Sequence, residues 1–147
     1  MAILELAMAA SEERGLHSQH VTVGNTNDVA QAAQSLIGAV DAIYIPADNT
    51  VAAAMPVIAQ IAGDAGIPVI TASTGAARSG GLATIGVDFY QLGRINADQA
   101  LDIILRGVDI RTMPVVVDFQ TYLFVSEAFA ESINFTIPAH IRERMVD

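Results

Sequence analysis

Asp41-Ala42-Ile43-Tyr44-Ile45-Pro46-Ala47-Asp48-Asn49-Thr50-Val51 decides the fold. A short apolar run ends in a proline, an acid, an amide and a hydroxyl follow, and an alanine-rich helical pattern begins. This is how a buried parallel strand delivers polar groups to the mouth of a sheet, and ligands of open α/β sheets bind outside the carboxyl ends of the strands. Asp48, Asn49 and Thr50 are therefore expected at the start of the next helix, where unpaired backbone N–H groups also point. Capping alone justifies these residue types. A capped helix end is also a polar binding surface, so the two readings are compatible.

Outward from that stretch, the same unit recurs. Toward the N-terminus, a helix over about Ala2 to Arg14 ends at Gly15, a short strand lies within Leu16 to Val23, and a helix carries Val29, Ala33, Leu36 and Ile37 up to Gly38. Toward the C-terminus, a helix over Thr50 to Ala65 contains Pro56, which predicts a kink or a later true start. Ile67 to Ala72 reads as the next strand. The order α-β-α-β-α-β with short connections is the signature of a parallel sheet covered by helices on both faces. A unit of this kind normally opens on a central strand; this chain opens on a helix, so a strand is expected ahead of Met1.

Further along, Ser73 to Gly81 reads as a glycine-rich loop and Leu82 to Val87 as a strand. A helix follows from about Tyr90 to Arg106, capped by Gly107. Val115 to Phe119 and Tyr122 to Val125 read as strands, Glu127 to Ile133 as a short helix with Asn134 as its left-handed cap, and Ile137-Pro138 as the start of a final helix.

Bulk properties narrow the function. The chain has 147 residues, enough for one domain with a real core, and a formal charge of -9 with seven basic residues, all arginine. No basic patch is present, which argues against a nucleic-acid partner. The absence of cysteine removes disulfides, zinc-thiolate sites and thiol nucleophiles. Mean hydropathy is +0.45, yet no apolar run is long enough for a membrane span. The N-terminus has no basic region and Glu5 interrupts its apolar part, so it does not read as a signal peptide. There is no nucleophile elbow, Walker loop or dinucleotide fingerprint, so no enzyme and no cofactor are expected. His17 and His20 lie in a turn without a suitable carboxylate, so no metal site is expected.

The segments Asn27-Asp28-Val29 with Gln31-Ala32-Ala33-Gln34-Ser35-Leu36, Asp41 to Pro46, Asp48-Asn49-Thr50-Val51, Leu82-Ala83-Thr84-Ile85-Gly86-Val87-Asp88-Phe89-Tyr90, Leu92-Gly93-Arg94 and Phe135-Thr136-Ile137-Pro138 resemble the ABC transporter substrate-binding protein family, in its branch of tryptophan- and tyrosine-type amino-acid binders. The resemblance implies a type I periplasmic-binding-protein fold, a parallel-sheet three-layer α/β lobe incomplete at the N-terminus. Residues 1–88 would be most of the second lobe, lacking its first strand. Residues 89–147 would be the crossover helix and the hinge and C-terminal segments that pack between or onto the absent first lobe. It further implies a small amino-acid-like ligand in a cleft between two lobes, an ABC transporter permease as partner, and a periplasmic or cell-envelope location. On that basis the ligand-binding candidates are Asp48, Asn49, Thr50, Ser73, Thr74 and Asp88. Family members commonly carry an acid near Ser73, where this chain has hydroxyls. Phe89 and Tyr90 are expected in the core, with stacking on an aromatic ligand as the alternative; Arg78 and Arg94 are candidate carboxylate partners, Arg94 rather as a surface or interlobe salt-bridge residue. Two other readings stand beside this one: a truncated module that self-associates through exposed apolar faces, and the effector-binding domain of a lac-repressor-type regulator, which shares the fold.

Overall fold

In chain order, the helices are α1 (Ala2–Glu12), α2 (Val29–Leu36), α3 (Asn49–Ala53), α4 (Met55–Asp64), α5 (Thr74–Arg78), α6 (Phe89–Arg106), α7 (Glu127–Ser132) and α8 (Ala139–Arg142). One sheet has the order β1-β2-β3-β4, with β1 at Ile43–Ile45, β2 at Val69–Thr71, β3 at Ala83–Val87 and β4 at Thr121–Val125. The computed structural model of the chain describes residues 2–116 and 121–145. β1, β2 and β3 run parallel, and β4 pairs antiparallel with β3.

Register assigns the two faces. Ile43 stands beside Val69, Ile45 beside Thr71, and Ile70 beside Ala83. Side chains alternate along a strand. Ile43, Ile45, Val69, Thr71, Thr84 and Gly86 therefore share one face, and Tyr44, Ile70, Ala83 and Ile85 the other. The first face meets α2, α4 and α5: Val29, Ala33, Met55, Ile58, Ala62 and Ala76 close over Ile43, Ile45 and Val69 in a single core. The second face meets α7 and α8, where Ala130, Ile133 and Ile141 join Ile70, Ala83, Leu123 and Val125. Helices on both faces of a mainly parallel sheet are the expected α/β arrangement.

Pro56 acts as anticipated. The segment read as one helix divides at Ala54, and Pro56 stands in the first turn of α4, where its missing N–H costs nothing. Gly15 and Gly107 adopt positive φ at the ends of α1 and α6, and Asn134 does so at φ 54, the left-handed cap that was expected there.

Three expected secondary-structure assignments differ from the structure. Leu16 to Val23 forms no strand; a strand exists only through a ladder with a neighbour, and β1 pairs on one side alone, with β2. Ser73 to Gly81 is not a loop throughout, because Ser73 caps a helix, α5, and Ala76-Ala77 sustain it despite Gly75. Val115 and Val116 lie outside any strand, and Val117 to Phe119 lie outside the described residues.

α6 combines great length with little burial. It is the longest helix among the described residues, at 18 residues, yet none of its side chains is buried. Phe89 and Tyr90, expected in the core, are 71% and 72% exposed, and Ile104 and Leu105 are 75% exposed. The total accessible surface is 10120 Å², against about 7,200 Å² for a folded monomer of this mass. Among the described residues no helix is long and apolar enough to cross a membrane.

Candidate functional site

Parallel strands place their carboxyl ends along one edge of the sheet. The chain leaves β1, β2 and β3 there, and after each strand a short polar turn opens a helix. The first turn carries Asp48, whose Oδ1 accepts from the Val51 N–H at 3.0 Å and so caps α3. The second carries Ser73, whose Oγ accepts from the Ala76 N–H at 3.3 Å and caps α5. The third carries Asp88, whose Oδ1 accepts from the N–H groups of Tyr90 and Gln91 at 2.9 and 3.1 Å and caps α6. Three adjacent strands thus end in three side-chain caps on one sheet edge. The Ala72 N–H donates to the Ile45 carbonyl at 2.9 Å, which extends the β1–β2 ladder to the first two turns.

The candidates differ in access. Asp48 and Asn49 are exposed, Thr50, Ser73 and Asp88 half-buried, and Thr74 buried. Thr74 does not offer its hydroxyl to the outside: Oγ1 lies 3.0 Å from the Tyr122 hydroxyl on β4. Ser73 is steadied from beneath, since the Thr71 hydroxyl donates to its carbonyl at 2.9 Å. The six residues chosen from sequence therefore fall on the same sheet edge, five of them at the surface and one behind it.

Of the arginines, Arg78 stacks over the Phe124 ring at 5.1 Å rather than meeting a carboxylate. Among the described residues the ion pairs are Arg106 with Asp102, Arg111 with Asp109 and Arg142 with Glu127, and Arg94 is exposed. His17 and His20 are exposed, and no cluster of metal-ligating side chains occurs among the described residues. Tyr122, Gly86 and Phe124 were not foreseen as neighbours of the edge. Tyr122 is 48 residues from Thr74, and no spacing rule joins them.

Comparison with known proteins gives this edge a context. The profile of the family described as ABC transporter substrate binding protein matches residues 1–145. The chain belongs to that family, which is one of substrate-binding proteins and not of enzymes. It is 31% identical over 112 residues to a tyrosine-binding protein of Clostridioides difficile (strain R20291), a match covering 76% of this chain and 32% of that protein. Among solved structures, a conserved domain protein from Vibrio cholerae O1 biovar eltor shares 30% identity at a TM-score of 0.86, covering 99% of this chain and 49% of that one. The ABC domain from Streptococcus pneumonia, solved in complex with L-Trp, shares 26% identity at a TM-score of 0.84, covering 98% and 48%. A substrate-binding protein with adhesive properties from Clostridium difficile, solved ligand-free and open, shares 30% at a TM-score of 0.80, covering 97% and 47%. The chain thus spans about a third of the curated relative it matches and about half of each solved one.

Proposed function

We propose that this chain is the second lobe and crossover portion of the solute-binding component of an ABC importer, and that the edge carrying Asp48, Asn49, Thr50, Ser73 and Asp88 is one wall of a cleft for an amino-acid-like ligand. The observation carrying the reading is the coincidence of the family match with three capped turns on a single sheet edge. In this reading residues 1–88 form the lobe, and residues 89–147 lead to and from a first lobe. Coverage of about half of each solved relative supports it, as does the bare α6, whose apolar face would lie against that first lobe.

The chemistry assigns roles. The Asp48 carboxylate has a free oxygen for a ligand ammonium, and Asn49 and Thr50 supply a carboxamide and a hydroxyl beside it. One relative is a tyrosine-binding protein and another is a domain solved with L-Trp, and an α-amino acid carries the ammonium that Asp48 would pair with. Asp88 stands at the lobe boundary, and Thr74 supports the wall from behind. Closure of two lobes on the ligand would present one shape to a transporter permease in the periplasm or cell envelope.

Calorimetry with a panel of amino acids tests this. The chain alone is expected to bind none of them more tightly than ~1 mM. A fusion placing the first lobe of a solved relative ahead of Ala2 is expected to bind at least one at micromolar strength. Asp48→Ala in that fusion should weaken binding by roughly tenfold or more, the size of a charge-assisted hydrogen bond. Micromolar binding by the isolated chain overturns the half-site, and a cooperatively folding fusion that binds no amino acid overturns the ligand class.

The exposed area favours a second reading, self-association. The surface exceeds that of a compact monomer by more than a standard interface buries. A concentration-dependent dimer in analytical ultracentrifugation, abolished by Ile104→Glu with Leu105→Glu, is its expected signature, and a monomer at all concentrations excludes it.

A further inference from the structure

α5 has five residues, too few to hold itself by helical propensity, and it is fastened to β4 at both ends. At its first residue, Thr74 Oγ1 meets the Tyr122 hydroxyl at 3.0 Å. At its last, the Arg78 guanidinium lies over the Phe124 ring at 5.1 Å. The repeats agree: four residues of helix advance about 6 Å, and two residues of strand about 6.8 Å. Thr74 and Arg78 therefore come level with Tyr122 and Phe124.

β3 is shaped for the same purpose. Gly86 lies opposite Tyr122 and Thr84 opposite Phe124, both on the face that α5 covers. A Cβ on Gly86 would stand 2.3 Å from Thr74 Oγ1 and 3.5 Å from the Tyr122 ring, so only glycine leaves the slot through which the two hydroxyls meet. The neighbouring Thr84 hydroxyl is buried without a hydrogen-bond partner among the described residues.

We infer that Tyr122 and Phe124 form a clasp through which β4 sets the position of α5, and with it the Ser73 turn, which makes Tyr122 a positioning residue for that wall of the site. The inference rests on the reading of the Ser73 turn as a ligand wall. It adds that this wall is held from two sides, by Thr71 on β2 through the Ser73 carbonyl and by Tyr122 on β4 through Thr74. A displacement of β4, the strand that returns after α6, then reaches the site through a hydroxyl pair and a ring.

Amide hydrogen exchange followed by NMR on the whole chain tests the clasp without any ligand. The Ala76 and Ala77 N–H groups bond to Ser73 and report on the turn. Tyr122→Phe removes one hydroxyl and keeps the ring; it is expected to speed exchange at Ala76 and Ala77 about fivefold, the weight of one net hydrogen bond, with Ile58 in α4 unchanged. Thr74→Val should do the same, Thr74→Ser should retain the wild-type rate, and the double variant Tyr122→Phe with Thr74→Val should add nothing to either single change. Phe124→Leu should speed the Gly81 amide, which bonds to Ala77, about twofold. Equal acceleration in α4 and α5, or none at Ala76 and Ala77, overturns the clasp. A clasp intact by exchange in a fusion that binds no amino acid would keep the clasp and overturn the ligand wall it is inferred to position.

Discussion

α4 and α6 teach opposite lessons about what holds a helix. α4 has ten residues, no side-chain cap and a glycine in its last turn, yet Met55, Ile58 and Ala62 are buried under α2 and against the sheet. α6 has 18 residues, a double cap from Asp88, a left-handed glycine at Gly107 and the Arg106–Asp102 pair, yet none of its side chains is fully buried. Local signals specify where α6 begins and ends, whereas tertiary burial supplies the stability of α4. Helices draw most of their stability from packing of an apolar face, so α6 is specified without being anchored. Its exposed face carries Leu101, Ile104 and Leu105, and the Gln99 side chain donates to the Pro114 carbonyl.

The sharpest way to break the comparison is to remove one buried and one bare side chain. Met55→Ala is expected to destabilise the folded chain by about 3 kcal/mol, because it empties a fully enclosed site in a close-packed core. Ile104→Ala should change stability by no more than about 0.5 kcal/mol, as an exposed substitution. Urea unfolding followed by circular dichroism separates the two. If both cost the same, α6 is packed in solution and the contrast fails. In a two-lobed fusion the Ile104→Ala effect should grow, since the face would then be covered.

A smaller effect is expected at the cap. Asp88→Ala leaves the first N–H groups of α6 without their acceptor and should cost roughly 1 kcal/mol of helix stability. In α6 that loss has no buried contact to resist it. Exchange protection should fall over the first turn of α6 while the amides of α4 keep theirs. Equal losses in both helices would show that α6 and the lobe unfold as one unit.

How much of this was legible beforehand follows the same division. The ends of α6, the break at Pro56, the left-handed Asn134 and the strands Ile43–Ile45 and Val69–Thr71 are written in residues close together in the chain, through caps, proline geometry and apolar runs. α5 was masked because Gly75 and Ser79-Gly80-Gly81 signal a loop, while its actual determinants are one serine cap and two alanines. The Leu16–Val23 segment has strand-like residues, and what it lacks is a neighbouring strand, which composition does not reveal. Asp48, Ser73 and Asp88 were found because each follows a strand, and the parallel sheet then sets them side by side. Tyr122 was not, because its bond to Thr74 spans 48 residues and depends on a missing side chain at Gly86.

The weakest expected effect lies just beyond α6 and tests whether local electrostatics alone can hold this half of the chain. The turn at Ile110–Thr112 is capped by Asp109, whose carboxylate accepts from the Arg111 side chain at 2.6 to 3.0 Å and from the Arg111 N–H at 2.9 Å. The Arg111 guanidinium, and then its N–H, hold the Asp109 carboxyl below the ordinary aspartate range. A carboxyl depressed by folding contributes stability above its unfolded value, and that contribution is lost as pH falls through the folded value. Acid should therefore loosen the turn while the α4 amides, which have no such pair, stay protected over the same pH range. Both side chains are exposed, so salt should weaken the effect. Carbon-detected NMR titration checks the sign: the Asp109 midpoint should lie below that of ordinary aspartates and rise toward it in Arg111→Gln. A midpoint that ignores Arg111→Gln would mean that the pair does not persist in solution, and that the segment after α6 is held by its backbone turn alone.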